Sequence, residues 1–195
     1  MLMSRTRPWI IAVGASGGPG LEGIMRLLAS LPSPLYAIVL VVLHRHWDQP
    51  SHLRSILARA CDHSVVIAKN GEHLEPDTVY IGEPDKHLSL AGRSSGRLIP
   101  DPDRQYRNRT VDLLFRSVAE HGGSNVIGVV LAGSLDDGAS GLAALLEAGG
   151  LPMVLPPEPW PAKGMPESAI GFDGPIDVVG SHEVIATAIL NALAS

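Results

Sequence analysis

Cys61 is the only cysteine in 195 residues. An internal disulfide and a zinc site built from four cysteines are therefore excluded, and a reducing, cytoplasmic setting is the natural expectation. Positive charge is not in excess either. Fifteen Lys and Arg face 20 Asp and Glu, a formal charge of −5, which is a poor footing for nonspecific nucleic-acid binding. Long hydrophobic runs are missing too: the longest aliphatic stretch, Leu35 to Leu43, is about half the ~20 residues a membrane helix needs. Met1 to Pro8 carries Arg5 and Arg7 but not the apolar core of a signal peptide. No membrane insertion is expected. Without repeats, low-complexity tracts or linkers, residues 1–195 read as one domain. What is present, 45% apolar residues and 21 glycines, suits a globular chain with a real core.

Short aliphatic runs alternate with longer amphipathic ones. Trp9 to Val13, Tyr36 to Leu43 and Asn125 to Leu131 read as buried strands. Leu21, Ile24, Met25, Leu28 and Leu31 recur at helical spacing, as do Leu53, Ile56, Leu57 and Ala60, and Val111, Leu114, Phe115 and Val118. Between the second and third helices lie short strand-like segments, with a hairpin turn around Ala91-Gly92. The alternation implies an α/β fold: a three-layer α/β/α sandwich on a doubly wound, mostly parallel sheet, with a small β-hairpin insertion in the middle.

In such a sheet, ligands bind where the strands end. Three loops there carry reactive side chains. Gly14-Ala15-Ser16-Gly17-Gly18 matches G-x-S-x-G between a strand and a helix, the setting of a nucleophile elbow; a plain packing turn is the structural alternative. The same glycines, Gly14, Gly18 and Gly20, also resemble the cofactor turn of short-chain dehydrogenases. However, Tyr36, Tyr80 and Tyr106 each lack a lysine four positions on, and the second strand ends at His44 where a ribose-binding Asp is expected. His44, with His46 as a competitor, can accept a serine proton; no carboxylate stands at ligand spacing to make these histidines a metal site. In Gly133 to Gly138, Asp136 and Asp137 can each cap the next helix or orient the histidine, and the residues alone do not choose between them.

Taken together the loops resemble the catalytic domain of the CheB methylesterase family. The resemblance rests on Ile11-Ala-Val-Gly-Ala-Ser-Gly-Gly18, Val41-Val-Leu-His44, Asn70-Gly-Glu72, Val79-Tyr-Ile81, Pro84-Asp-Lys-His-Leu88, Val111-Asp-Leu-Leu-Phe115, Gly128-Val-Val-Leu-Ala-Gly133, Asp136-Asp-Gly138 and Gly164-Met-Pro166, in that order. It implies Ser16 as nucleophile, His44 as base and Asp137 as the group that orients it, with Gly17 and Ser134 where the oxyanion is held. It further implies hydrolysis of glutamate methyl esters, and deamidation of glutamine, on the cytoplasmic helices of chemoreceptors, with neither metal nor organic cofactor. The best-known members carry Thr at the position of Gly17 and Met at that of Ser134. They also place a receiver domain in front, where this sequence has only a few residues. The expectation is thus either a stand-alone catalytic domain or a piece cut from a longer chain, with an open cleft and with control through a separate response-regulator (receiver) protein, through abundance or through docking at the receptor. Arg104, Arg107 and Arg109 form a polar loop that either meets an acidic receptor helix or stays solvated; the family often has Pro at 109. A catalytically weak binding protein on the same fold is the other reading.

Overall fold

The computed structural model describes residues 7–133, 136–157, 164–172 and 174–195. Seven strands form one sheet: β1 (Trp9–Ser16), β2 (Ala37–His44), β3 (Ser64–Ile67), β4 (Thr78–Ile81), then, beyond a hairpin of β5 (Lys86–Leu90) and β6 (Gly96–Pro100), β7 (Val126–Val130), β8 (Leu151–Val154) and β9 (Val178–Val179). Their order is β3-β4-β2-β1-β7-β8-β9, and every pair in the sheet is parallel. β5 and β6 form a second, two-stranded antiparallel sheet.

Helices cover both faces. α1 (Gly17–Ala29), α2 (Leu53–Ala60) and α6 (His182–Ala194) pack on one; α3 (Thr110–His121), α4 (Ala139–Glu147) and α5 (Met165–Ile170) pack with the hairpin on the other. The buried residues of α1, at 20, 23, 24, 27 and 28, trace one helical stripe, and those of α3 at 111, 114, 115 and 118 trace another. Strand residues alternate as period two requires: Ile11, Val13 and Ala15 enter the α1 core, Ile10 and Ala12 the α3 core. Both faces of the central strands are therefore apolar, which is why the sequence shows continuous aliphatic runs there.

Two boundaries differ from the sequence expectation in a way that matters. β1 extends to Ser16, and α1 starts at Gly17, four residues before the apolar repeat begins. The first turn of α1 sits at the open edge of the sheet, with nothing apolar to cover. Its exposed glycines and Pro19 are compatible with a helix start. Among the described residues, no helix is long and apolar enough to cross a membrane.

Candidate active site

In a parallel sheet every strand delivers its carboxyl end to the same edge. β1 ends at Ser16 and β2 at His44, and the two are register partners. Counting in twos from Ile10 and Ile38, both side chains leave the sheet on the α3 side. Ser16 is extended (φ −142°, ψ 141°), and its N–H bonds the Ala132 carbonyl at 3.1 Å, continuing the β1–β7 ladder. Its hydroxyl makes no hydrogen bond with another described residue and does not cap α1. Gly17 follows with φ +69°; in this left-handed conformation a β-branched residue would be strained. The turn therefore rests on glycine at this position. It leaves the N–H groups of Gly17 and Gly18 exposed at the positive end of α1.

His44 Nε2 lies 2.7 Å from Asp137 Oδ2. Asp137 is fully buried, and its other partners are also donors: Oδ2 accepts the N–H of Val111 at 2.9 Å, and Oδ1 that of Asp112 at 2.8 Å. Asp137 thus caps the first turn of α3 from another segment of the chain. The dipole of that helix and two backbone donors compensate the burial of its charge. A carboxylate that only accepts fixes the proton of His44 on Nε2. Nδ1, which has no partner among the described residues, remains as the basic nitrogen.

The other candidates go elsewhere. Asp136 is exposed and faces Arg109 Nη1 at 3.5 Å. Arg109 also reaches Asp112 Oδ2 at 3.3 Å, so this arginine is engaged within the chain. His46 is exposed at the rim. Ser134 lies outside the described residues. Among the described residues, no group of three or more His, Cys, Asp or Glu is placed to hold a metal ion.

Ser16 and His44 line a cleft of about 820 Å³. Its far walls come from segments to which the sequence assigned no role in the cleft: the loop before β5, Asp101 and Thr110. Arg45 ties two loops together by donating to the Gly82 carbonyl. The Arg104 guanidinium stacks over Trp47 at 4.6 Å across the rim, and Arg107 lines the cleft beside it. Their spacing in sequence carries no periodic signal; only the return of the hairpin brings them to the edge.

Ser16 is closely packed from behind. A Cβ on Gly133 would stand 2.6 Å from Ser16 Cβ and from Met165 Sδ, and 2.8 Å from Ser16 N. Gly133→Ala is therefore expected to push Ser16 out of place. A displacement near 1 Å costs about 10²-fold in rate, and overpacking costs about 1–3 kcal/mol in stability. Hydrolysis rates and urea midpoints of the purified variant check this; an unchanged rate would show that the segment yields instead.

The wall at 101–106 depends on one carboxyl. Asp101 accepts from the N–H groups of Gln105 and Tyr106, both at 2.8 Å, and lies 3.1 Å from His87 Nε2. Burial opposes its ionisation, but the hydrogen bonds from His87, Tyr106 and Gln105 outweigh that and hold the carboxyl below its ordinary value. A carboxyl depressed in the folded state contributes stability that is fully present above the unfolded value of about 3.9. That contribution is lost as pH falls through the lower folded value. Asp101→Asn should therefore show a shallower loss of urea stability between about pH 5 and pH 2 than the parent. Parallel acid limbs would dismiss the assignment.

The profile of the CheB methylesterase family matches residues 11–189. The protein-glutamate methylesterase/protein-glutamine glutaminase of Salmonella typhimurium is 36% identical over 181 residues, covering 90% of this chain and 50% of the relative. That of Pectobacterium atrosepticum is 35% identical over 178 residues with the same coverage. The chain thus spans about half the length of these curated relatives. Among solved structures, the Thermotoga maritima CheB methylesterase catalytic domain superposes with a TM-score of 0.81 at 26% identity, covering 95% of this chain and 99% of that one.

Proposed function

The chain belongs to the CheB methylesterase family, and from that premise we propose that it is a serine esterase acting on glutamate methyl esters of chemoreceptor cytoplasmic helices. The observation that carries the reading is the pairing of Ser16 and His44 in register at the mouth of the cleft, with buried Asp137 on the far nitrogen of the imidazole. Ser16 Oγ attacks the ester carbonyl while His44 Nδ1 takes the hydroxyl proton. Negative charge develops on the carbonyl oxygen, and the N–H groups of Gly17 and Gly18 are the available donors for it. His44 returns the proton to the departing methoxide, which leaves as methanol. A water, deprotonated by the same nitrogen, then releases the glutamate carboxylate and restores Ser16. A glutamine side chain follows the same course with ammonia as the leaving group. No step calls for a metal or an organic cofactor. The substrate lies on the cytoplasmic part of the receptor, so the reading places the protein in the cytoplasm.

A serine-directed fluorophosphonate followed by peptide mass spectrometry tests this directly. The adduct is expected on Ser16, and the same preparation should release methanol from methylated receptor. Folded protein that takes no label and releases no methanol would favour the alternative, a binding protein that has kept the fold without the chemistry.

A further inference from the structure

Asp112 is a second buried carboxylate at this edge, and the hydrolytic steps leave it without a task. It is 4% exposed and sits in the first turn of α3, between residues that pack on the sheet. An acid at this position ordinarily serves its own helix N-terminus. Here it is turned outward to α4: Oδ1 accepts the N–H of Gly138 at 3.1 Å and of Gly141 at 2.7 Å. Asp137 does the converse for α3. Each helix is thus capped by a carboxylate from the other's leading segment. The charged groups facing Asp112 are Arg109, at 3.3 Å from Oδ2, and through it Asp136. The amide of Gly138 belongs to the peptide unit directly after Asp137, so whatever holds it also limits where the Asp137 side chain can stand.

We propose that Asp112 is a positioning residue: by holding the Gly138 and Gly141 N–H groups it fixes the segment that keeps Asp137 Oδ2 against His44 Nε2. Its effect on rate rests on the esterase reading; its effect on the His44–Asp137 bond does not. A proton held between His44 Nε2 and a carboxylate gives a far-downfield NMR signal, assignable by its loss in His44→Gln. In ligand-free Asp112→Ala that signal should disappear. The limiting rate on a glutamate methyl ester peptide should fall about 10- to 100-fold, with KM within about twofold. Asp112→Asn, whose side-chain oxygen can accept the same two N–H groups, should restore the signal and bring the rate to within about fivefold of the parent.

Ser181→Ala removes a helix cap from α6 and should lower stability while leaving both readouts unchanged. Should Asp112→Ala fail to fold, Asp112→Ser, too short to span both amides, is expected to lose the signal in its place. A folded Ala or Ser variant with the parental signal overturns the proposal. An esterase-inert parent would instead sink the hydrolytic reading and leave the NMR result to stand.

Discussion

Ser16→Ala should lower ester hydrolysis by about 10⁴-fold or more and abolish fluorophosphonate labelling, with the fold intact. The reason for the first effect is chemical: no described neighbour offers a second hydroxyl in register with His44, so the acyl-enzyme route closes and only direct attack by water, without a covalent intermediate, remains. The reason the fold stays intact is structural. The Ser16 hydroxyl bonds no described residue and does not cap α1, while the backbone bond to Ala132 persists in alanine. The urea midpoint should move by no more than a surface substitution moves it, about 0.5 kcal/mol. Methanol release, label incorporation and equilibrium unfolding on the same preparation decide the matter. Equal hydrolysis by parent and variant would remove Ser16 from the mechanism.

Asp137→Asn should fail in both respects at once. All three partners of the carboxylate are donors, the N–H groups of Val111 and Asp112 and Nε2 of His44. An asparagine supplies one oxygen and one NH₂, so in either orientation a donor faces a donor. If the NH₂ turns to His44, the imidazole must present a bare Nε2 and carry its proton on Nδ1, where it cannot accept one from Ser16. The rate should fall about 10³- to 10⁴-fold, less than on removing Ser16 itself. In either orientation a buried amide N–H of α3 also loses its acceptor, that of Val111 when the NH₂ takes the place of Oδ2 beside His44 and that of Asp112 when it takes the place of Oδ1, a cost of about 1–3 kcal/mol. A variant with a large rate loss and a lowered unfolding midpoint is the expected outcome. Parental stability with a large rate loss would mean that α3 does not depend on this cap.

The strands and the faces of the helices were legible because burial on both sides of a parallel sheet writes itself as aliphatic runs and helical stripes. The start of α1 was not. Gly17, Gly18 and Pro19 signal a turn by propensity, yet a helix end at an exposed sheet edge has no apolar face to advertise. The two adjacent acids were beyond local reasoning altogether. Asp136 and Asp137 have the same propensities, and what separates them is which one meets the first turn of α3, a contact across some 25 residues. The resemblance selected Asp137, and the structure sets that residue against His44 and Asp136 against Arg109. Asp112 carries no signal of its own in the sequence, since an acid in the first turn of a helix is common enough to need no second explanation. Part of the third loop, including Ser134, lies outside the described residues.

The exchanged caps have a consequence for telling working members of the family from lapsed ones. Asp137 serves the imidazole and the end of α3 together, so a descendant that abandoned hydrolysis would still lose stability without it. Its persistence in a sequence is therefore no sign of turnover. On the proposed mechanism Ser16 is held to its identity by chemistry alone, because nothing in the packing asks for its hydroxyl. Relaxed selection on activity should therefore show first at Ser16, and a member with alanine there beside an intact Asp-Asp-Gly would be an idle protein in good structural repair.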